Sequence, residues 1–298
     1  MGIFFAILSP AIFGVTNYID KFLLEKDNIN PVVFTIFGGI FAFAAGLLVL
    51  FFTGFYPIDT KTLIIILASG YLTSIYLLPY YKALSLDDTS TIIPLLQTYP
   101  VFVLILGYIF LGESLTSKQY IGSFFIIIAS ILLSVEKLKL GIFKLRKSFF
   151  FVILSSFLFA LAQVLYKFGV TEVPFWNTLP YEGFGIAFGA LSVLLYKNNF
   201  RLVKKQTRKF KKRSFMLMGI NETIYIFARY TGYFAISLIS VGLVSVLAGF
   251  QALFGLIFGT ILSIRFPYIL KEVITKKTLG LKITSIILMI TGAYFIFS

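Results

Sequence analysis

Residues 2–24, GIFFAILSPAIFGVTNYIDKFLL, and residues 148–170, SFFFVILSSFLFALAQVLYKFGV, are each long and apolar enough to cross a bilayer as a helix, and they align without a gap. Leu8-Ser9 falls on Leu154-Ser155, Asn17 on Gln163 and Lys21 on Lys167 at one constant offset. Further along, Tyr81, Ala83 and Ser85 match Tyr233, Ala235 and Ser237, and the same spacing carries Phe102 onto Phe254 and Gly107 onto Gly259. Ala129 then corresponds to Gly292. Each match is weak, but their order is kept and the offset grows only across loops, as an internal duplication requires.

Between these stretches the pattern continues. Apolar runs of spanning length fall at 2–24, 32–54, 61–83, 89–111, 118–135, 148–170, 174–196, 214–236, 239–264 and 278–297. The 298 residues are 59% hydrophobic and 13% charged, with a mean hydropathy of +0.96, so lipid is the main solvent. Backbone amides in hydrocarbon must be satisfied internally, and runs this long and unalternating suit helices, not barrel strands. The expected fold is an all-α membrane protein of ten transmembrane helices in two five-helix repeats, residues 1–137 and 148–298. Five is odd, so the second repeat enters from the opposite side. Two inverted bundles enclosing a central cavity have two near-equivalent packings, the basis of alternating access. The first apolar run continues into Asn17, Asp20 and Lys21 without a cleavage pattern and reads as a retained helix. Pro79, Pro94 and Pro100 interrupt spans three and four, either as kinks that shape packing or as local unwinding beside a cavity.

Absent residue types narrow the chemistry. The chain has no cysteine and no histidine, which excludes disulfides, thiolate and imidazole metal sites and histidine acid–base catalysis. No cofactor is expected, and no nucleophile stands beside a base, so an enzyme is not expected either. A net charge of +14 would suggest nucleic acid in a soluble chain, but here the basic residues lie in short loops beside apolar runs. The loops after spans one, three, five, seven and nine hold 21 of the 26 Lys and Arg residues, the densest run being Lys197 to Arg213, read as a loop. The opposite side holds Lys61, Lys118 and Lys167. The positive-inside rule therefore makes the odd-numbered loops cytoplasmic and puts both termini outside.

The stretch Tyr81 to Leu133, YKALSLDDTSTIIPLLQTYPVFVLILGYIFLGESLTSKQYIGSFFIIIASILL, resembles the repeat signature of EamA-type transporters of the drug/metabolite transporter superfamily. Gly14, Asn17 and Lys21 are similar to that family's first helix, and Ala248 to Tyr294 echo the signature more loosely. The resemblance implies ten helices around a cavity lined mainly by spans one, three, four, six, eight and nine. It departs in two ways. Ser263-Ile264-Arg265 stands where Leu111, Gly112 and Glu113 have their counterpart, and the family usually keeps both termini in the cytoplasm.

Ionisable groups inside spans cost at least about 2.5 to 3.5 kcal/mol each, so each needs a partner, water or a function. Glu222 and Arg229 are seven residues apart, within roughly 20° of one helix face and about 10 Å along the axis; with Asn221 and Tyr225 they form a polar stripe. The stripe serves either a solute or ion pathway or structural pairing. Removing a carboxylate from water favours its neutral form, the property a proton-coupled carrier exploits. Glu222 and Glu182 are the candidates, with a Glu182 to Arg229 ion pair as the structural rival. Lys21 and Lys167 either snorkel to the interface or pair with an anionic group, and Asp20 is placed to compensate Lys21. Asn17, Gln97, Gln163 and Gln251 bond across helices or orient a solute. Tyr76, Tyr80 and Tyr99 lie near the prolines and are cavity candidates, whereas Trp176 reads as an interfacial anchor. The function expected is a secondary transporter of a small metabolite in the cell membrane. Its partners are the solute, membrane lipids and, through the carboxylates, protons. The alternatives are an uncoupled facilitator or exchanger, or a non-transporting membrane partner or lipid translocase component.

Overall fold

The structure, a computed structural model, describes residues 1–86, 89–134, 147–196, 198–208, 210–265 and 276–298. Every regular element among them is helical. In chain order they are α1 (Gly2–Glu25), α2 (Pro31–Thr53), α3 (Thr60–Ile75), α4 (Leu77–Leu84), α5 (Thr89–Leu96), α6 (Tyr99–Leu111) and α7 (Ser117–Ser134). There follow α8 (Lys147–Glu172), α9 (Phe175–Ser192), α10 (Asn199–Thr207), α11 (Lys212–Leu238), α12 (Val241–Leu247), α13 (Phe250–Arg265) and α14 (Lys276–Phe297).

Seven segments among the described residues are long and apolar enough to cross a membrane: Gly2–Leu24, Pro31–Thr53, Thr60–Ala83, Lys147–Glu172, Phe175–Leu195, Val241–Ile261 and Gly280–Phe297. Tyr99–Leu111 and Ser117–Leu133 are apolar but shorter. At 27 residues α11 is long enough, but it carries Asn221, Glu222 and Arg229 inside. Local signals explain the helix ends. Asn30 caps α2 by accepting the Val32 N–H at 2.9 Å ahead of Pro31, and Asp59 caps α3 through Thr62 at 3.0 Å. Gly112, at φ +64°, ends α6 in the left-handed conformation that a side chain resists.

Three runs expected as single spans are each two helices. The third breaks at Tyr76, the fourth at Gln97–Thr98 and the ninth at Ala248–Gly249. Pro79 and Pro100 stand in the first turns of α4 and α6, so their missing N–H groups withdraw helix bonds from the carbonyls of Ile75 and Leu96, just before the first two breaks. Pro94 lies inside α5. The third break has no proline. A second correction concerns Lys197 to Arg213: this run is not merely a loop, since it contains α10 and the start of α11. Leu202, Val203 and Phe210 pack there on buried Leu23, Ile29, Val33 and Met218. Lys137, Lys139, Lys144, Arg146 and Lys271, counted in the charge bias, lie outside the described residues.

The helices of the first half pack mainly on those of the second. α1 lies against α11, α2 and α3 against α9, α3 and α4 against α8, α6 against α8 and α12, and α7 against α14. Serine hydroxyls tie several of these pairs by bonding carbonyls of the facing helix: Ser9 to Ala228 at 2.8 Å, Ser155 to Tyr76 at 2.9 Å, Ser69 to Ala162 at 2.9 Å and Ser74 to Ile186 at 2.8 Å. Around α9, glycines bring backbones together. A Cβ on Gly183 would stand 2.6 Å from the Ala42 carbonyl, and one on Gly70 would overlap the Glu182 carbonyl and lie 2.8 Å from the Ile186 nitrogen.

Gly70→Ala should therefore push α3 off α9 and cost about 1–3 kcal/mol, read as a lower Tm of the detergent-solubilised protein. Gly255→Ala, where a Cβ meets nothing within 4 Å, should leave Tm unchanged.

Candidate functional site

The long helix α11 carries the charged residues, and each faces a different neighbour. Asn221 is buried and donates Nδ2 to Asp20 Oδ1 of α1 at 2.6 Å, while its own Oδ1 has no partner. Asp20 is thus held by Asn221, whereas the sequence suggested Lys21; the Lys21 side chain lies outside the described residues. Glu222 is buried against α2, where a Cβ on Gly38 would stand 3.4 Å from its Oε2. Two turns on, Arg229 is buried with Nε and Nη2 unpartnered and its guanidinium 5.7 Å from the Tyr230 ring.

Glu182 of α9 completes the row. It is fully buried, its Oε1 accepts the Tyr233 hydroxyl at 2.6 Å, and its Oε2 has no partner. No ion pair within 4.0 Å joins Arg229 to Glu182 or Glu222 among the described residues. The rival reading, a Glu182 to Arg229 ion pair, is thus not formed, and a tyrosine hydrogen bond meets Glu182 instead. Tyr233 also stacks on Tyr166 of α8, with centroids 3.8 Å apart, and the Tyr166 hydroxyl meets Thr178 Oγ1 at 3.0 Å. Asp20, Asn221, Glu222, Arg229 and Glu182 thus run through the helices as one buried polar row.

Aromatic candidates gather beside it. Tyr76 and Tyr99 flank Phe159 at 4.7 and 4.9 Å, and Tyr225 meets Phe13 at 4.9 Å. Tyr99 donates to the Ser245 carbonyl at 3.3 Å, and Tyr80 lies against Tyr81 at 5.7 Å. Gln251 donates to Asn17 Oδ1 at 3.2 Å, joining α13 to α1. Gln97 stands at the α5–α6 break and Gln163 mid-way along α8; both are half-buried and make no side-chain hydrogen bond to another described residue. Trp176 is 58% exposed, as an interfacial anchor requires.

At the far end of α11, Lys167 follows the second of its two readings, pairing with an anionic group instead of snorkelling. Its side chain is 12% exposed, and Nζ donates to the carbonyls of Ile236 and Ile239 at 2.8 and 2.9 Å while lying 3.6 Å from Glu113 Oε1. Glu113, presented by the Gly112 turn, accepts the Val241 N–H on Oε2 at 2.8 Å. One ion pair therefore caps the C-terminus of α11 and the N-terminus of α12 together. Sequence reading missed Tyr233 and Glu113. Tyr233 was accessible, eleven residues from Glu222 and hence on its face. For Glu113 there was no such signal, since its partners, Lys167 and the Val241 N–H, are distant in the chain and meet it only through the fold.

Comparison with known proteins supplies the family. A family model for the EamA-like transporter family matches residues 1–135. An uncharacterized protein of Methanocaldococcus jannaschii is 32% identical over 135 residues, 45% of this chain and 96% of that protein. The chain belongs to the EamA-like transporter family. An uncharacterized transporter of a Sinorhizobium species is 36% identical over 78 residues, 26% of this chain, and the match spans 55% of that transporter's length. A solved structure, a crystal structure of a protein, superposes with a TM-score of 0.66 at 15% identity over 99% of this chain and 94% of its own, a likeness of fold. This EamA-like protein is thus an integral membrane protein of a transporter family.

Lys167→Met should leave the Glu113 carboxylate and two helix-end carbonyls without their cation, costing about 1–3 kcal/mol. Since the chain has no cysteine, a single Ser245→Cys probe behind this contact reports opening. Lys167→Met should speed its maleimide labelling, and unchanged labelling would show that the pair does not hold this end shut.

Proposed function

We propose that this EamA-like protein is a secondary transporter that moves a small metabolite by alternating access, with proton transfer at Glu222 or Glu182 biasing which side is open. The observation that carries the reading is the buried row on α1, α9 and α11. It holds three carboxylates and one guanidinium, and Glu182 Oε2, Asn221 Oδ1 and Arg229 Nε and Nη2 have no partner among the described residues. Such groups in hydrocarbon cost several kcal/mol unless a solute, water or proton meets them.

Architecture supports the same reading. We take the chain as ten spans in two repeats, residues 1–137 and 148–298. The hydrogen bonds from Ser9 to Ala228 and from Ser155 to Tyr76 are equivalents under the offsets seen in the sequence: Ser9 matches Ser155, and Tyr76 matches Ala228. The breaks at Gln97–Thr98 and Ala248–Gly249 fall within one residue of each other under the same register. Helices broken at corresponding places in inverted halves are the usual setting for a midplane site. In this reading the Lys167–Glu113 pair closes one end, the odd-numbered loops face the cytoplasm, and the cell membrane is the host.

An uncoupled facilitator or exchanger is the second reading, favoured by the Tyr233 bond to Glu182 and the Asn221 bond to Asp20, which suit a structural role for both acids. Thermal stabilisation across a metabolite panel first identifies a bound solute. Flux of that solute into proteoliposomes should then rise several-fold under an inward proton gradient, and Glu222→Gln should abolish the rise while solute exchange persists. Flux indifferent to the gradient, and intact in Glu222→Gln, would leave the facilitator.

A further inference from the structure

At the opposite end of α11 from Lys167, about 40 Å away along a helix of this length, a cavity of about 670 Å³ lies between the α1–α2 turn, α10 and the start of α11. Its construction is specific. Gln206 of α10 grips the turn from both sides, donating Nε2 to the Asn28 carbonyl at 2.7 Å and accepting the Asn30 N–H at 3.0 Å. Asn28 takes φ +52°, the left-handed conformation that asparagine tolerates better than most side chains. The grip holds α10 over the cavity, and Leu202 and Phe210 form an apolar rim.

The lining is chemically one-sided. Among the described side chains, Lys26, Lys205 and Lys211 border it against a single acid, Asp27. Two long helices, α2 and α11, begin there. Asn30 already satisfies the first turn of α2, but the N-cap of α11 is Lys211, whose side chain caps nothing. The first-turn amides of α11 are therefore uncapped by a side chain and carry the positive end of a 27-residue helix. Ser214, the third residue of α11, borders the cavity and is 4% exposed, yet its hydroxyl makes no hydrogen bond to any described residue. This hydroxyl, open to the cavity beside the uncapped helix amides and three lysines, is placed to donate to an anion with several acceptor oxygens. Asp27 Oδ2, buried and unpartnered, would take a hydroxyl or ammonium donor beside that anion.

We propose that this cavity binds a phosphate group carrying a neighbouring hydroxyl or amine, the chemistry of an anionic phospholipid headgroup or of a phosphorylated polyol. The phosphate sits against Ser214 and the α11 N-terminus, with Lys205 and Lys211 closing on it from α10 and the α10–α11 junction. Because the same helix carries Asn221 and Glu222 two turns further on, an occupied cavity anchors the α11 end of the buried row. The site goes beyond the transport reading and does not depend on it, because its test measures binding alone.

The full-length protein in detergent is titrated with inorganic phosphate, glycerol 3-phosphate, and mixed micelles of phosphatidylglycerol or phosphatidylcholine, following Tm and retained lipid by native mass spectrometry. Phosphatidylglycerol should raise Tm and stay bound, phosphatidylcholine should not, and the double variant Lys205→Gln/Lys211→Gln should weaken the apparent affinity roughly tenfold or more. Lys204→Gln, exposed on α10 outside the cavity, should bind as the parent does. A response to glycerol 3-phosphate equal to that for phosphatidylglycerol assigns the site to a soluble phosphorylated ligand; a response to the lipid alone assigns it to the membrane. If no phosphate probe shifts Tm, or if the double variant and the parent respond alike, the proposal falls.

Discussion

A helix that stops inside a membrane protein leaves amides and carbonyls that hydrocarbon cannot hydrogen-bond, and much of this architecture answers that constraint. The chain breaks at Tyr76, at Gln97–Thr98 and between α11 and α12, and protein groups meet the exposed backbone at the first and last of these. Ser155 donates to the Tyr76 carbonyl, Lys167 to the last carbonyls of α11, and Glu113 accepts from the first turn of α12. Ser155 and Glu113 each come from the other half of the molecule, while Lys167 belongs to the same half as α11. The two halves therefore cannot be regarded as self-sufficient bundles, because each completes the other's unfinished helices.

The same constraint gives the buried charges their meaning. Where polar atoms serve architecture, they are satisfied: serine hydroxyls on carbonyls, Lys167 on helix ends, Tyr166 on Thr178. Along the row from Asp20 to Glu182 they are satisfied only in part. Glycines at positions 38, 70 and 183 let backbones close around Glu222 and Glu182, so these carboxylates sit between helices packed at backbone contact. Close packing there fixes where the acids stand while leaving specific oxygens and nitrogens open.

Much of this was legible in the sequence. Hydropathy showed the membrane, the Leu-Ser to Asn to Lys alignment pointed to a duplication, and the seven-residue spacing put Glu222 and Arg229 near one face of one helix. Partners across helices were harder to read, because residues far apart in the chain meet only through the fold: Asp20 with Asn221, Glu182 with Tyr233, Lys167 with Glu113. Composition also misled once. The density of lysine and arginine between Lys197 and Arg213 hid the Leu202, Val203 and Phe210 stripe that docks α10, because three apolar residues among nine cations look like a solvated loop until their common face is seen.

The tyrosine stack between α8 and α11 has a mechanical corollary. Tyr166 is the immediate neighbour of Lys167, and Tyr233 lies one turn before Ile236, so the stacked rings are bolted at both ends to the capping ion pair. The hydroxyl on Glu182 hangs from one of those rings. That carboxylate and the Lys167 cap are thus two arms of one short crank, joined through a ring stack and a single helix turn.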